Sequence, residues 1–186
     1  NKAFNLFLHG PVGCGKTSAA KLVLTELTSY SDNVKTAYVN CWQTSSRQGI
    51  LSEIAQKTGE VLPRRGIGGD EVLDRIIQSL KHADKTLAVV LDEADRVFSK
   101  GEEKVLYDLA RAHEQHQVKI SLVCISNDSE LFANADDRIR SSLRPLDIEF
   151  EKYNPIQLKD ILKKRAKTAF AKNTCPESVI ALCAAH

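Results

Sequence analysis

The sequence has no methionine, no C-x-x-C pair, no apolar run long enough to cross a bilayer, no signal peptide and no internal repeat. Each absence removes a class of protein. A spanning helix needs about 20 consecutive apolar residues, and a secretory leader needs a basic start before an apolar stretch. The 5 cysteines (Cys14, Cys41, Cys124, Cys175 and Cys183) are odd in number and widely spaced. That spacing argues against a disulfide framework or a zinc site and for buried, reduced thiols in an intracellular protein. The net charge is only +2. No overall field announces nucleic acid, so any such contact has to come from a local patch. Residue 1 is Asn, a strand pattern begins almost at once, and "SVIALCAAH" stops inside a helical pattern. The expectation is a piece of a larger protein.

What is present is enough for one globular domain, or one with a small appendage: 186 residues, 42% hydrophobic and 27% charged. Apolar strand patterns alternate with helical ones. "AFNLFL", "VKTAYVNC", "TLAVVLDEAD", "VKISLVCISND" and the edge-like "PLDIEFE" read as strands. Between them, "KTSAAKLVLTELTSY", "RQGILSEIAQKTG", "DEVLDRIIQSLKHA", "EEKVLYDLARAHEQH" and the short "DDRIRSSL" read as helices. Asp70 is placed to cap the third of these, whose stripe is Val72, Leu73, Ile76, Ile77 and Leu80. Such alternation predicts a parallel α/β sheet, here five-stranded and flanked by helices. Beyond Pro155, two helical patterns follow with no strand between them. The predicted division is an α/β domain over 1–152 and the start of a helical second domain over 153–186.

Two stretches carry chemistry. "FLHGPVGCGKT" places Gly10, Gly13, Gly15, Lys16 and Thr17 on the pattern G-x-x-x-x-G-K-[ST], between a strand and a helix. Glycines let backbone N–H groups turn inward around phosphates, Lys16 meets the β- and γ-phosphates, and the Thr17 hydroxyl ligates Mg²⁺. The residues expected to touch nucleotide are Gly10, Pro11, Val12, Gly13, Cys14, Gly15, Lys16, Thr17 and Ser18. Cys14, near a helix start, is expected to have an activated thiol. In "LAVVLDEAD" an apolar strand ends in acids, so Asp92 emerges at the sheet edge where ligands sit. Asp92 is expected to hold Mg²⁺ through water and Glu93 to act as general base. The next strand ends in Ser126 and Asn127, where a polar group can reach the phosphate or the attacking water, or merely cap the loop. The letters "DEAD" suggest a helicase, but no Ser-Ala-Thr stretch follows a later strand. No N-K-x-D guanine motif is present, which disfavours GTPases.

Together these features resemble AAA+ ATPases: the phosphate loop, the acidic pair, a polar residue after the next strand, and appended helices. "YVNCWQTSSRQGILSEIAQKTG", "VLPRRGIGGDEVLDRI", "YDLARAHE" and "DRIRSSLRPLDIEFEKYNPIQLKDILKKRAKTAF" are similar to the initiator branch, the origin-recognition ATPases of Orc/Cdc type, archaeal ones above all. The resemblance covers essentially the whole chain. It implies a P-loop NTPase fold and an ATP/ADP and Mg²⁺ module that hydrolyses ATP slowly to switch a DNA replication initiator and help load the replicative helicase. It makes Asn127 the first sensor, acting in catalysis with Glu93 and Lys16. It points Arg64 and Arg65 in "LPRRGIGG", read as the tip of two projecting helices, at DNA. Arg138, Arg140 and Arg144 fall where a trans-acting arginine finger would come from, although the common Ser-Arg-Phe is replaced by Ser141-Ser142-Leu143. A second sensor arginine and a winged-helix DNA reader would follow His186. The implied partners are double-stranded origin DNA, other initiator subunits and the helicase, with no membrane. The implied location is the cytoplasm or nucleoid of an archaeon, or a eukaryotic nucleus. Two alternatives stand beside this reading: another AAA+ class such as a clamp loader, and a signalling or binding module that holds ADP.

Overall fold

The structure, a computed structural model, describes residues 4–63, 66–171 and 174–185. Five strands, β1 (Leu6–His9), β2 (Val34–Asn40), β3 (Thr86–Asp92), β4 (Ile120–Ser126) and β5 (Leu146–Glu149), form one sheet in the order β2-β3-β4-β1-β5. Every pairing is parallel. The helices over the same stretch are α1 (Lys16–Tyr30), α2 (Arg47–Lys57), α3 (Gly69–Ala83), α4 (Asp95–Ser99), α5 (Lys104–His116) and α6 (Asp137–Leu143). From β1 the chain crosses to the far edge strand β2, and from there it works back across the sheet. Right-handed crossovers therefore put α1 on one face and the later helices on the other.

The two faces are unequally packed. Under the later helices lies a large core that includes Ile50, Leu51, Ile54, Ile76, Leu80, Leu106 and Leu109, each no more than 1% exposed. The α1 face holds a small cluster of Leu8, Ala20, Val90 and Ile125. Strand β3 is apolar from Leu87 to Leu91 because both its faces are covered, with Leu87, Val89, Val90 and Leu91 all buried. Strand β5 is an exposed edge along its whole length.

Some local expectations change. Gly68, not Asp70, caps α3. Asp70 instead pairs with Arg47, which also holds Asp108 at 2.7 Å, so one guanidinium ties together the starts of α2 and α3 and the side of α5. Helices α2 and α3 do not project. Both lie flat on the core, and Leu62 and Ile67 of their connection pack against it too. Arg64 and Arg65 lie outside the described residues. The cysteines are free, with Cys14, Cys41 and Cys124 buried, but Cys183 is exposed rather than buried.

The chain divides into two compact units, Asn1–Phe150 and Glu151–His186. The second contains α7 (Pro155–Ala169) and α8 (Glu177–Ala185). Asn154 and Gln157 cap α7 reciprocally, and Pro155 sits at its first turn, where its missing N–H costs nothing. Glu177 of α8 bridges to Lys159 and Lys163 of α7. Among the described residues, no helix is long and apolar enough to cross a membrane.

The unequal packing is testable by substitution. Ile54→Ala, at a site with 0% exposure, should lower unfolding free energy by about 2–5 kcal/mol. Leu22→Ala, at 59% exposure on α1, should change it by less than about 0.5 kcal/mol. Urea unfolding followed by circular dichroism measures both.

Candidate nucleotide-binding site

Parallel register brings the candidate residues to one edge. His9, the last residue of β1, lies beside Ser126, the last of β4. Asp92 ends β3, across from Asn40 of β2. The loop after β1, the acidic pair after β3 and Asn127 after β4 therefore share the C-terminal edge of the sheet, where ligands of open α/β sheets bind.

The loop needs its glycines. Gly10, Gly13 and Gly15 have φ values of 138°, 84° and 95°, a region that side chains with a Cβ rarely enter. A Cβ on Gly10 would also run into the carbonyl oxygen of Phe150. Gly15 caps α1 with no side-chain hydrogen bond, and the first turn carries no acid. The leading N–H groups thus lack a side-chain acceptor, as an anion site requires. Lys16 is the unusual residue. Its side chain folds back into the loop, where the residue is only 6% exposed. The ammonium donates to Gly10 O at 2.7 Å, Pro11 O at 2.9 Å and Asn127 Oδ1 at 2.9 Å. All three acceptors are neutral, and among the described residues Lys16 has no ion pair. A buried charge without a counter-charge is costly, so the arrangement suits an anionic ligand.

Other loop residues differ in setting. Val12, Gly13 and Ser18 are exposed, whereas Pro11 is half-buried. Cys14 is 3% exposed, and its Sγ–H donates to Pro11 O at 2.9 Å. The thiol expected to be activated is therefore packed under the loop.

Asp92 is buried and crowded with donors. Thr17 Oγ1 donates to Asp92 Oδ2 at 2.9 Å, and the Tyr38 hydroxyl donates to the same oxygen at 2.6 Å. The Glu93 N–H donates to Oδ1 at 3.1 Å. Thr17 and Asp92 together present one hydroxyl and one carboxylate. Among the described residues there is no cluster of three or more His, Cys, Asp or Glu able to hold a metal by itself. That donor set fits Mg²⁺, which binds through one or two protein oxygens together with phosphates and water. Burial pushes the Tyr38 hydroxyl well above its ordinary range, and its hydrogen bond to Asp92 and the Asp92 charge add to this, so it remains a proton donor.

Glu93 occupies the left-handed region with φ 57°, an uncommon conformation for a residue with a side chain. Burial raises its carboxyl pKa, and Asp95 and Asp92 raise it further, while Lys16 and Arg96 oppose the rise. Such residues cluster where a structure overrides local preference for function. Ser126 does not reach Glu93. It donates to Asp95 Oδ1 at 3.2 Å and fixes the turn. Arg138, Arg140 and Arg144 are all exposed on or just after α6. Arg140 is held by Asp137 and Ala133 O.

Two features leave no mark in the sequence pattern. Tyr38 looks like a core strand residue, and its partner Asp92 lies 54 positions away. The guanidinium of Arg96 stacks on the exposed ring of Trp42, 3.3 Å from its centroid. No local pattern joins these positions.

Comparison with known proteins places this geometry. The family profile described as AAA domain matches residues 2–130. The ORC1-type DNA replication protein 1 of Sulfurisphaera tokodaii is 36% identical over 186 residues, which cover 99% of this chain and 47% of that protein. The Aeropyrum pernix ORC1 protein, solved in complex with DNA, is 33% identical with a TM-score of 0.85 over 99% of this chain and 49% of its own. The Cdc6p of Pyrobaculum aerophilum is 26% identical with a TM-score of 0.83 over 97% of this chain and 47% of its own. The chain spans about half the length of the curated relatives it matches. Its homologues are ORC1-type replication proteins, and the chain itself belongs to the AAA domain family.

Proposed function

We propose that the chain is the ATP-binding and hydrolysing module of a DNA replication initiator that recognises origins and helps load the replicative helicase. The observation that carries this reading is the buried Lys16 ammonium, held among neutral oxygens inside a glycine loop. The ORC1-type relatives supply the biological setting. In this reading Gly10–Thr17 wrap the phosphates, with Pro11, Val12, Cys14 and Ser18 as the rest of the contact set. Lys16 exchanges loop carbonyls for β- and γ-phosphate oxygens. Thr17 and, through water, Asp92 hold Mg²⁺, which when bound draws charge from the phosphates. Glu93 accepts the proton of the attacking water, and Asn127, already on Lys16, orients that water or the terminal phosphate. Arg138 and Arg144 are exposed and form no ion pair among the described residues. They are better placed than Arg140 to serve a neighbouring subunit as an arginine finger. The second unit, read as the start of a helical lid, begins near residue 153. Arg64 and Arg65 contact the backbone of origin DNA, in line with the DNA bound to the Aeropyrum relative.

Three outcomes test the reading. Lys16→Ala should abolish ATP binding measured by calorimetry. Retained binding would remove the phosphate-loop assignment. Glu93→Gln should bind ATP normally and lose single-turnover hydrolysis by at least about 100-fold, in the range expected for loss of a general base. Because the folded state raises the Glu93 pKa, its ionised form opposes folding as pH rises through the carboxylate range. The Gln variant should therefore melt no lower than the parent at neutral pH. Arg64→Ala with Arg65→Ala should weaken duplex binding without altering ATP binding. The slope of log K against log salt should flatten by about 0.9 for each phosphate that the variant no longer neutralises. Unchanged DNA affinity across several salt concentrations would reduce this segment to a connection between helices.

A further inference from the structure

Asp92 has little acceptor capacity left. A carboxylate offers about four lone-pair positions. Thr17 and Tyr38 take both on Oδ2, and the Glu93 N–H takes one on Oδ1. The hydrogen bond from Tyr38 is the shortest of the three, 2.6 Å, within the range for a hydroxyl on a charged oxygen. The phenol is not a loose group. Tyr38 lies opposite Val90 in the β2–β3 register, one pleat back from Asn40 opposite Asp92, so side chains at these positions share a face. Its ring packs against the cluster of Leu8, Ala20, Val90 and Ile125. The Lys21 ammonium sits 4.3 Å from the ring centroid. Strand register and packing fix where the hydroxyl points, and the cation lies over the ring rather than at the hydroxyl.

We propose that Tyr38 is a positioning residue for the divalent cation that accompanies the nucleotide. By occupying Oδ2 together with Thr17, it leaves Asp92 one acceptor position on Oδ1, suited to a water on the cation rather than to the cation itself. That restriction favours a small, tightly hydrated ion, since Mg²⁺ gives up its waters reluctantly. The inference rests on the nucleotide and Mg²⁺ reading above. It adds a residue outside the glycine loop and the acidic pair, to which the sequence alone assigns no role of its own.

The test is Tyr38→Phe, which removes one oxygen and keeps the ring. Binding of a fluorescent mant-ADP probe is measured in EDTA, then across titrations of Mg²⁺ and of Mn²⁺. The expected result is unchanged affinity in EDTA, which also shows that the variant is folded. The Mg²⁺ concentration for half-maximal enhancement should rise about tenfold, the usual scale for losing a hydrogen bond to a metal-binding carboxylate. The rise with Mn²⁺, which exchanges water for carboxylate more readily, should be smaller. Lys21→Ala, which removes the cation over the ring and leaves the hydroxyl, should keep the parental Mg²⁺ requirement. An unchanged Mg²⁺ requirement in Tyr38→Phe, with a clear Mg²⁺ effect in the parent, overturns the inference alone. Equal rises for Mg²⁺ and Mn²⁺ overturn the selectivity. No Mg²⁺ effect in the parent overturns the reading of the site, and the inference with it.

Discussion

A positive charge almost wholly removed from water, hydrogen-bonded only to neutral acceptors, is the constraint on which the rest of the molecule turns. Lys16 sits there because Gly13 and Gly15 bend the chain through backbone angles that other residues resist. Gly10 clears the carbonyl of Phe150. Asn127 completes the cage from β4, which the sheet order sets beside β1. The acidic pair comes from the next strand over and is fixed by Thr17, the neighbour of Lys16. Three separate strand ends thus converge on one short helix start. Parallel pairing is what makes that possible, since every strand delivers its C-terminal end to the same side.

How much of this can be read from the sequence depends on how local each interaction is. The phosphate loop, α1 and the apolar strands are written in contiguous residues, and the strand and helix patterns follow from periods of two and 3.6. The places of Glu93 and Asn127 at the sheet edge are legible because they abut such strands. Helix α4 is not, because five residues after a strained turn show no period. Local propensity favours Asp70 as a cap, whereas Arg47, from a different helix, recruits it and leaves the cap to Gly68. Tyr38 is silent for a similar reason. Its hydrophobic ring satisfies a strand pattern, and only the three-dimensional register shows that its hydroxyl meets Asp92. The expectation of a projecting pair of helices rests on likeness alone. The apolar faces of α2 and α3, already visible in the sequence, hold them on the core.

The strain at Glu93 and the stacking of Arg96 on Trp42 belong together. Arg96 N–H donates to Glu93 O at 3.0 Å, closing the turn that keeps Glu93 in its left-handed conformation. Its side chain then lies against the ring that follows β2. Cys41 N–H donates to Asp92 O at 2.8 Å, so the same strand end is tied to both acids. Glu93 is therefore braced from β2 as well as from its own strand. Cys41 and Cys124 have thiols pushed up by burial, Cys124 to about 12, and they serve as inert packing beneath this edge.

Helix α1 has a thin anchorage. Of its 15 residues only Lys16 and Ala20 are buried, and Leu22, Val23 and Tyr30 face outward. The core across the sheet, by contrast, is continuous through five helices, α2 to α6. The helix that follows the glycine loop is therefore among the parts least secured by its own packing, and local opening there costs less than opening of α3 or α5. Whatever anion binds at its first turn contributes a share of folding free energy that the helix lacks by itself. The rigidity of α1 over its 15 residues therefore depends on what occupies its first turn more than that of α3 or α5 does.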